Sequence, residues 1–157
     1  MDLYGGMHRM TEEKVTKSLL QQLISNYWNI ICFDFPQSGT GRVLHSDNVI
    51  GEKTKDSIIP DIVAVKNKIA LFFENKDRFY LPDYQKVNAL IENNQYTCAI
   101  NNLLSDYEID SIYYGIGLPT EKYTAKSKEC AYLVDFIFGV NIDGTITILH
   151  NRAKINL

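Results

Sequence analysis

The sequence predicts an α/β or α+β fold, in which helices flank a mixed β-sheet. Three observations predict it: an amphipathic helical stretch opens the chain, two almost wholly apolar strands follow, and a second helical stretch precedes three further predicted strands. Strands that are apolar on both faces belong in the middle of a sheet that is covered on both sides. The chain has no internal repeat or low-complexity tract, so we expect a single domain over residues 1–157.

The first helix is predicted over residues 12–27, because apolar residues recur there at helical spacing. Thr11 is a suitable N-cap, and the acidic Glu12 and Glu13 favour the positive end of the helix dipole. On a helical wheel Glu12 lies closer to the centre of the apolar face than Glu13 does. Of the two carboxylates, Glu12 is therefore the one that this geometry slightly favours to face the interior.

A strand is predicted over 28–35, where β-branched and aromatic residues are frequent, and Pro36 ends it. The polar stretch 37–57 contains three glycines and predicts a long loop. The apolar runs IIPDIVAV and IALFFEN then predict a hairpin. Its tight turn is expected at 66–68, because the central Asn tolerates a positive φ.

The second half of the chain predicts one helix and three strands. The helix is expected to open at Pro82 and Asp83 and to run to about Leu104. A strand follows at 111–118, and the C-terminal stretch predicts a hairpin that turns at 143–144. These elements complete the predicted sheet.

Composition excludes several classes of protein. No apolar run reaches the roughly 18–20 residues that a membrane-spanning helix needs. The beginning of the sequence lacks the apolar region of a signal peptide, so we expect a cytoplasmic location. The three cysteines form no C-x-x-C pair, which argues against a disulfide framework or a zinc ribbon. The net charge of −3 argues against a protein that coats nucleic acid through a large basic surface.

Polar residues interrupt the apolar hairpin at its open end. If Asn67 and Lys68 form a two-residue turn, counting outward pairs Asp61 with Glu74, and directly opposed residues share a face. Lys76 lies two residues beyond Glu74 and shares that face too. The count predicts a site made of two carboxylates and an ammonium.

Two opposed carboxylates repel each other, so a divalent cation is expected to offset the repulsion, with Mg²⁺ or Mn²⁺ suited to these hard oxygen ligands. The backbone carbonyl of Asn75 could supply a third oxygen. Lys76 could orient or deprotonate a water on the metal, or stabilise charge that develops on a phosphate. A simpler interpretation makes Glu74 and Lys76 a surface ion pair and Asp61 the start of a strand. It explains each residue alone better than it explains the combined pattern P-D-x(12)-E-x-K.

The segments IPDIVA and FENK, which contain this pattern, resemble the signature of the PD-(D/E)XK nuclease superfamily. The order of the predicted elements over 11–118 is similar to the core of that fold. The resemblance implies a restriction-endonuclease-like mixed sheet flanked by helices. It also implies that Asp61 and Glu74 bind Mg²⁺, for which Mn²⁺ substitutes, and that Lys76 assists the water that attacks a phosphodiester of DNA.

Many members of the superfamily add a carboxylate from the first helix, and Glu12 and Glu13 are the candidates here. The alternative, that both only complement the helix dipole, stays open. Some members also place a Gln or a Lys on the helix after the motif, facing the site. Gln85 and Lys86 match that position, with ordinary helix surface as the alternative.

The loop after the first strand is a further candidate for DNA contact. It is similar to a Ser/Gly-rich segment of archaeal Holliday-junction resolvases, which belong to this superfamily. Its glycines allow backbone amides to approach a phosphate closely, and Ser38, Thr40 and Arg42 are the candidate DNA-binding residues. A flexible loop without contacts is the alternative.

The resemblance implies a Mg²⁺-dependent DNA endonuclease of restriction type, or the small catalytic subunit of a restriction enzyme, from a bacterium, an archaeon or a phage. A chain this short implies a homodimer or a larger DNA-recognition subunit. A structure-specific nuclease such as a Holliday-junction resolvase is the first alternative, although residues 42–86 hold eight Lys and Arg against seven Asp and Glu and so form no strongly basic face. A non-catalytic DNA-binding or assembly module on the same fold is the second, and it has no need of opposed carboxylates.

Overall fold

The computed structural model describes residues 10–47 and 57–157 of the chain. Part of the predicted loop, residues 48–56, lies outside the described residues. The elements, in chain order, are α1 (Glu12–Ser25), β1 (Asn29–Phe33), β2 (Ile62–Lys66), β3 (Ile69–Asn75), α2 (Leu81–Asn93), α3 (Thr97–Leu103), β4 (Ser111–Pro119), α4 (Ala125–Glu129), β5 (Phe136–Val140) and β6 (Ile146–Asn151).

The six strands form one mixed sheet in the order β1-β2-β3-β4-β5-β6. Strand β4 runs parallel to both β3 and β5, and the other neighbouring pairs are antiparallel. Parallel neighbours need a long crossover, and α2 and α3 lie in the connection between β3 and β4. The predicted mixed sheet with flanking helices is therefore confirmed. No helix in the described part of the chain is long and apolar enough to cross a membrane.

The central hairpin has the predicted turn and register. Asn67 and Lys68 both have positive φ, 50° and 67°, as a type I′ turn requires. Pairing runs from Lys66 opposite Ile69 to Ile62 opposite Phe73. Because side chains alternate along a strand, this register sends every second residue of β2 and β3 to the same side of the sheet.

Both faces of the hairpin are buried, as predicted for central strands. One face packs in a cluster with Val15, Leu19 and Leu23 of α1; its hairpin members are Ile62, Ala64, Leu71 and Phe73. The other face packs with Ile100 and Leu104, in and directly after α3; its hairpin members are Val63, Val65, Ala70 and Phe72. Helix α2 covers the same side further along, where Val87 packs in a cluster with residues of β4 and β5.

Helix α1 begins where predicted and ends earlier. The Thr11 hydroxyl accepts a hydrogen bond from the Lys14 N–H at 3.1 Å, which caps the first turn. The helix stops at Ser25, two residues before its predicted end, because Tyr27 has a φ of 67° and a helix cannot continue through it.

The prediction of one helix from Pro82 to Leu104 is wrong. Asn94 has a left-handed conformation with a φ of 49°, which ends α2 at Asn93. A separate helix, α3, begins at Thr97, and the Asp47 carboxylate accepts hydrogen bonds from the first two N–H groups of α3, at 3.1 and 3.0 Å. A carboxylate 50 residues earlier in the chain therefore caps α3, and no pattern within 82–104 indicates that contact.

The predicted C-terminal hairpin is confirmed. Strands β5 and β6 pair antiparallel, and Gly144 in their turn has a φ of 88°, which glycine adopts without strain. The short helix α4 between β4 and β5 was not predicted, because its five residues carry too little periodicity.

Candidate active site

Polar side chains from four elements meet at one edge of the sheet. Glu74 and Asn75 end β3, and Lys76 follows them. Asp61 directly precedes β2, which runs antiparallel to β3 and so begins where β3 ends. The first turns of α1 and α2 reach the same edge from opposite faces of the sheet, because α1 packs on one face and α2 on the other.

Asp61 is buried and tied to the end of β3. Its side-chain Oδ2 accepts a hydrogen bond from the backbone N–H of Asn75 at 2.6 Å, and its own N–H donates to the Phe73 carbonyl at 3.0 Å. Phe73 already pairs with Ile62, so the ladder ends one residue short of the predicted Asp61–Glu74 pair. Beyond the last pair, the Asp61 side chain takes the place of a main-chain acceptor for the Asn75 N–H.

The two carboxylates of the predicted motif are nevertheless close enough to repel each other. Burial and the charge of Glu74 together raise the pKa of Asp61 to about 8, although the Asn75 N–H favours the ionised form. The Asp61 side chain is therefore largely protonated near neutral pH when no cation is present. A cation bound by the two side chains would favour the ionised form of Asp61 instead.

Glu74 contacts a lysine from the other side. Its Oε2 lies 3.3 Å from the Nζ of Lys86 on α2, and burial raises the pKa of Glu74 against the attraction of that lysine. The structure thus brings Lys86 to the predicted site. Its neighbour Gln85 is exposed on α2 and has no contact with the carboxylates among the described residues.

Lys76 extends towards α1. Its Nζ lies 3.9 Å from Oε2 of Glu12 and 5.8 Å from the centre of the Tyr80 ring. Burial lowers the pKa of Lys76, but the negative charges of Asp83, Glu12 and other nearby carboxylates outweigh it and raise the pKa above its usual value. The ammonium therefore stays protonated near neutral pH.

The structure separates the two glutamates at the start of α1. Glu12 lies at the site beside Lys76, and burial raises the pKa of Glu12. Glu13 is exposed and lies 3.6 Å from Lys17 one helical turn later, which is an ordinary surface ion pair. Of the two sequence candidates, Glu12 is the one that shares the site.

Asp83 is a fourth carboxylate that sequence reasoning placed only as the start of a helix. It is 7% exposed, and its Oδ2 has no hydrogen-bond partner among the described residues. Burial raises the pKa of Asp83, and the positive charges of Lys76, Lys86 and Arg78 oppose that shift. An acidic residue in the first turn of a helix is so common that its position in the sequence does not assign it to the site.

The loop candidates make their contacts with residues other than the carboxylates of the site. The Thr40 hydroxyl donates to the Phe33 carbonyl at 2.6 Å, and the Ser38 hydroxyl lies 3.4 Å from Asp34 Oδ1. Both hydroxyls are therefore used to fold the loop against the end of β1. Arg42 is exposed, and its charge acts on Cys32 rather than on the carboxylates of the site.

The side chains at this edge could bind Mg²⁺ only if the main chain, water or a substrate supplied further oxygen ligands. Within residues 10–47 and 57–157, no three His, Cys, Asp or Glu side chains are grouped so that they could hold a metal ion. Mg²⁺ is commonly bound by one or two carboxylates together with waters and substrate phosphate oxygens. The buried Asp61 and the half-buried Glu74 match that requirement, with the Asn75 carbonyl as a third oxygen.

Comparison of this chain with models of protein families, with curated proteins and with solved structures finds no match in any of the three.

Proposed function

We propose that this protein is a Mg²⁺-dependent DNA endonuclease with a restriction-endonuclease-like fold. One observation carries the proposal: the carboxyl groups of the buried Asp61 and the half-buried Glu74 lie together at the end of two apolar central strands, where the charge of one opposes ionisation of the other, beside a lysine held as an ammonium. Such repulsion destabilises the fold unless a cation offsets it, so its presence favours a functional origin. The resemblance of the surrounding residues to the PD-(D/E)XK signature supports the same reaction.

In this proposal Asp61, Glu74 and the Asn75 carbonyl hold Mg²⁺. When bound, the ion supplies Lewis-acid polarisation of the phosphate and lowers the pKa of a coordinated water. The Lys76 ammonium donates hydrogen bonds, since its raised pKa makes it a poor base. It therefore orients the attacking water or stabilises negative charge on the phosphate, and does not take the proton from the water.

Glu12 and Lys86 hold the two charged groups in place before substrate arrives. Glu12 lies beside Lys76, and Lys86 lies beside Glu74. Both contacts are partly open to solvent, so a phosphate or a cation can compete for them. We propose that Lys86 turns from Glu74 to a phosphate of the DNA once Mg²⁺ neutralises the carboxylates.

Cleavage of defined substrates tests the proposed function. The purified chain is incubated with supercoiled plasmid and with a four-way DNA junction, each with Mg²⁺ and with EDTA. Discrete plasmid fragments with Mg²⁺ alone would support an endonuclease of restriction type, and nicking would support a small catalytic subunit. Junction-only cleavage would favour a resolvase. Absence of cleavage of either DNA, with Mg²⁺ or Mn²⁺, would contradict the proposal for this chain acting alone.

Binding of Mg²⁺ should tighten as the pH rises. Asp61 must lose its proton to become a ligand, and its pKa in the metal-free protein is about 8. Each proton displaced makes the apparent Kd fall about tenfold per pH unit below that pKa. Calorimetric titration with Mg²⁺ in two buffers of different ionisation enthalpy, between about pH 6 and about pH 8, counts the protons released. A pH-independent Kd without proton release would contradict the assignment of Asp61 as a ligand.

A further inference from the structure

The side chain of Asn75 points away from the carboxylates, into the core beneath α1. Residues alternate across a strand, so Asn75 faces the opposite side of the sheet from Glu74. It is fully buried, and its Nδ2 donates a hydrogen bond to the Thr16 hydroxyl of α1 at 3.0 Å. Asn75, which lies between Glu74 and Lys76 in the sequence, is therefore hydrogen-bonded to α1.

Thr16 continues this connection to the start of α1. Its hydroxyl donates to the Glu12 carbonyl at 3.1 Å, and Thr16 is also fully buried. The Asn75 backbone N–H meanwhile binds Asp61 Oδ2 at 2.6 Å. A continuous chain of hydrogen bonds thus runs from Asp61 through Asn75 and Thr16 to the backbone of Glu12.

The space around Asn75 is shaped for this amide. Gly117 pairs with Asn75 in the neighbouring strand β4, and a Cβ on Gly117 would collide with Asn75 Oδ1 and with Leu19. The same Oδ1 has no hydrogen-bond partner within the described part of the chain. Burying an unsatisfied polar atom is unfavourable, and an apolar side chain would avoid that penalty. The Asn75 amide is therefore better explained by its hydrogen bond to Thr16 than by packing.

We infer that Asn75 and Thr16 are positioning residues, which hold Asp61 and the Glu12 turn of α1 in a fixed relation around the metal site. The inference rests on the proposed function, because it assigns the two residues to the Mg²⁺ site of that proposal. Buried partners that orient the ligands of a metal contribute about 10–100-fold to its affinity or to activity when they are removed. Asn75 acts through both its groups, with the backbone N–H on Asp61 and the side chain on α1.

The test changes only the hydroxyl of Thr16. Thr16→Val keeps the shape and removes the donor to Glu12 and the acceptor for Asn75, whereas Thr16→Ser keeps the hydroxyl. We expect Thr16→Val to weaken Mn²⁺ binding, measured by EPR without DNA, by about tenfold or more, and Thr16→Ser to restore it to near the parental value. The Mg²⁺ concentration for half-maximal cleavage should rise in parallel.

Asn151→Ala is the matched control for lost stability. Asn151 makes two hydrogen bonds to Ile155, both 2.8 Å, and lies on the edge strand β6, which β4 and β5 separate from β3. The Asn151→Ala substitution should lower the melting temperature and leave Mn²⁺ binding unchanged. Thr16→Ala, which removes the hydroxyl without adding a methyl beside the amide, replaces Thr16→Val if that variant does not fold.

The outcomes separate the two hypotheses. If the parent chain binds Mn²⁺ and Thr16→Val binds it equally well, the inference is wrong and the proposed function stands. The same holds if Thr16→Ser weakens binding as much as Thr16→Val does. If the parent chain binds neither Mn²⁺ nor Mg²⁺, the metal site itself is wrong, and the positioning role is wrong with it.

Discussion

Replacing Glu74 with Gln is expected to lower Mg²⁺-dependent cleavage by about 10³-fold or more, because the neutral amide cannot balance the charge of the ion. Lys76→Met should lower it by about 10²–10³-fold, the usual cost of losing one charged donor near a reacting phosphate. Gln has the length of Glu, and Met is an unbranched apolar side chain one atom shorter than Lys. The rate of plasmid cleavage under single-turnover conditions measures both effects.

Glu108 and Lys68 provide matched controls for these two variants. They form an exposed ion pair of 3.4 Å beside the turn between β2 and β3, at the other end of the hairpin from the site. Glu108→Gln and Lys68→Met make the same chemical changes and should leave the cleavage rate within about twofold of the parent, since exposed pairs contribute little. Parental activity in Glu74→Gln would overturn the proposed mechanism.

The central part of the fold could be predicted from the sequence because its determinants are local. A two-residue turn at Asn67 and Lys68 fixes the register of the whole hairpin by counting, and two apolar faces place the hairpin inside the sheet. The break between α2 and α3 could not be predicted in this way. It depends on a left-handed Asn94 and on the distant Asp47 carboxylate, and each is visible only once the chain is folded.

The site shows the same division between local and distant determinants. The proximity of Asp61 and Glu74 follows from the hairpin, whereas the reach of Lys76 towards Glu12 depends on where α1 lies over the sheet. Asp83 was not predicted as a site residue. Its burial depends on the folded structure, and the sequence of an ordinary helix start does not indicate it. The loop candidates Ser38 and Thr40 have polar groups that suit a phosphate, but their hydroxyls are occupied within the loop.

Asp61→Asn is expected to stabilise the metal-free protein at neutral and alkaline pH while it abolishes cleavage. Burial and Glu74 raise the pKa of Asp61 to about 8, against 3.8 for an ordinary Asp. The ionised form of Asp61 therefore destabilises the folded state at high pH. An amide of the same shape still offers an oxygen to the Asn75 N–H and carries no charge. The parent loses about 1.4 kcal/mol for each pH unit between these two pKa values, so we expect a gain of several kcal/mol in the free energy of unfolding at about pH 8.

The sign of the pH dependence follows from proton binding. Between the unfolded pKa of 3.8 and the folded pKa of about 8, the folded parent holds a proton on Asp61 that the unfolded chain releases. The stability of the parent therefore falls as the pH rises through this window. The advantage of Asp61→Asn should vanish near about pH 4 and grow to its maximum near about pH 8. Denaturant titrations in EDTA measure it, with Asp106→Asn, an exposed loop variant, as the control.

Mg²⁺ should make the parent more stable than Asp61→Asn, the reverse of the order expected in EDTA. A ligand that binds only the folded state stabilises it by about 1.4 kcal/mol for each tenfold excess over its Kd. The parent can gain this energy because bound Mg²⁺ displaces the Asp61 proton and screens Glu74, whereas Asp61→Asn lacks the charge that binds the ion. The two stability curves should therefore cross as Mg²⁺ is added at about pH 8. An Asp61→Asn variant that is less stable than the parent in EDTA at this pH would show that the carboxylate serves the fold, and that no cation is needed to offset its repulsion from Glu74.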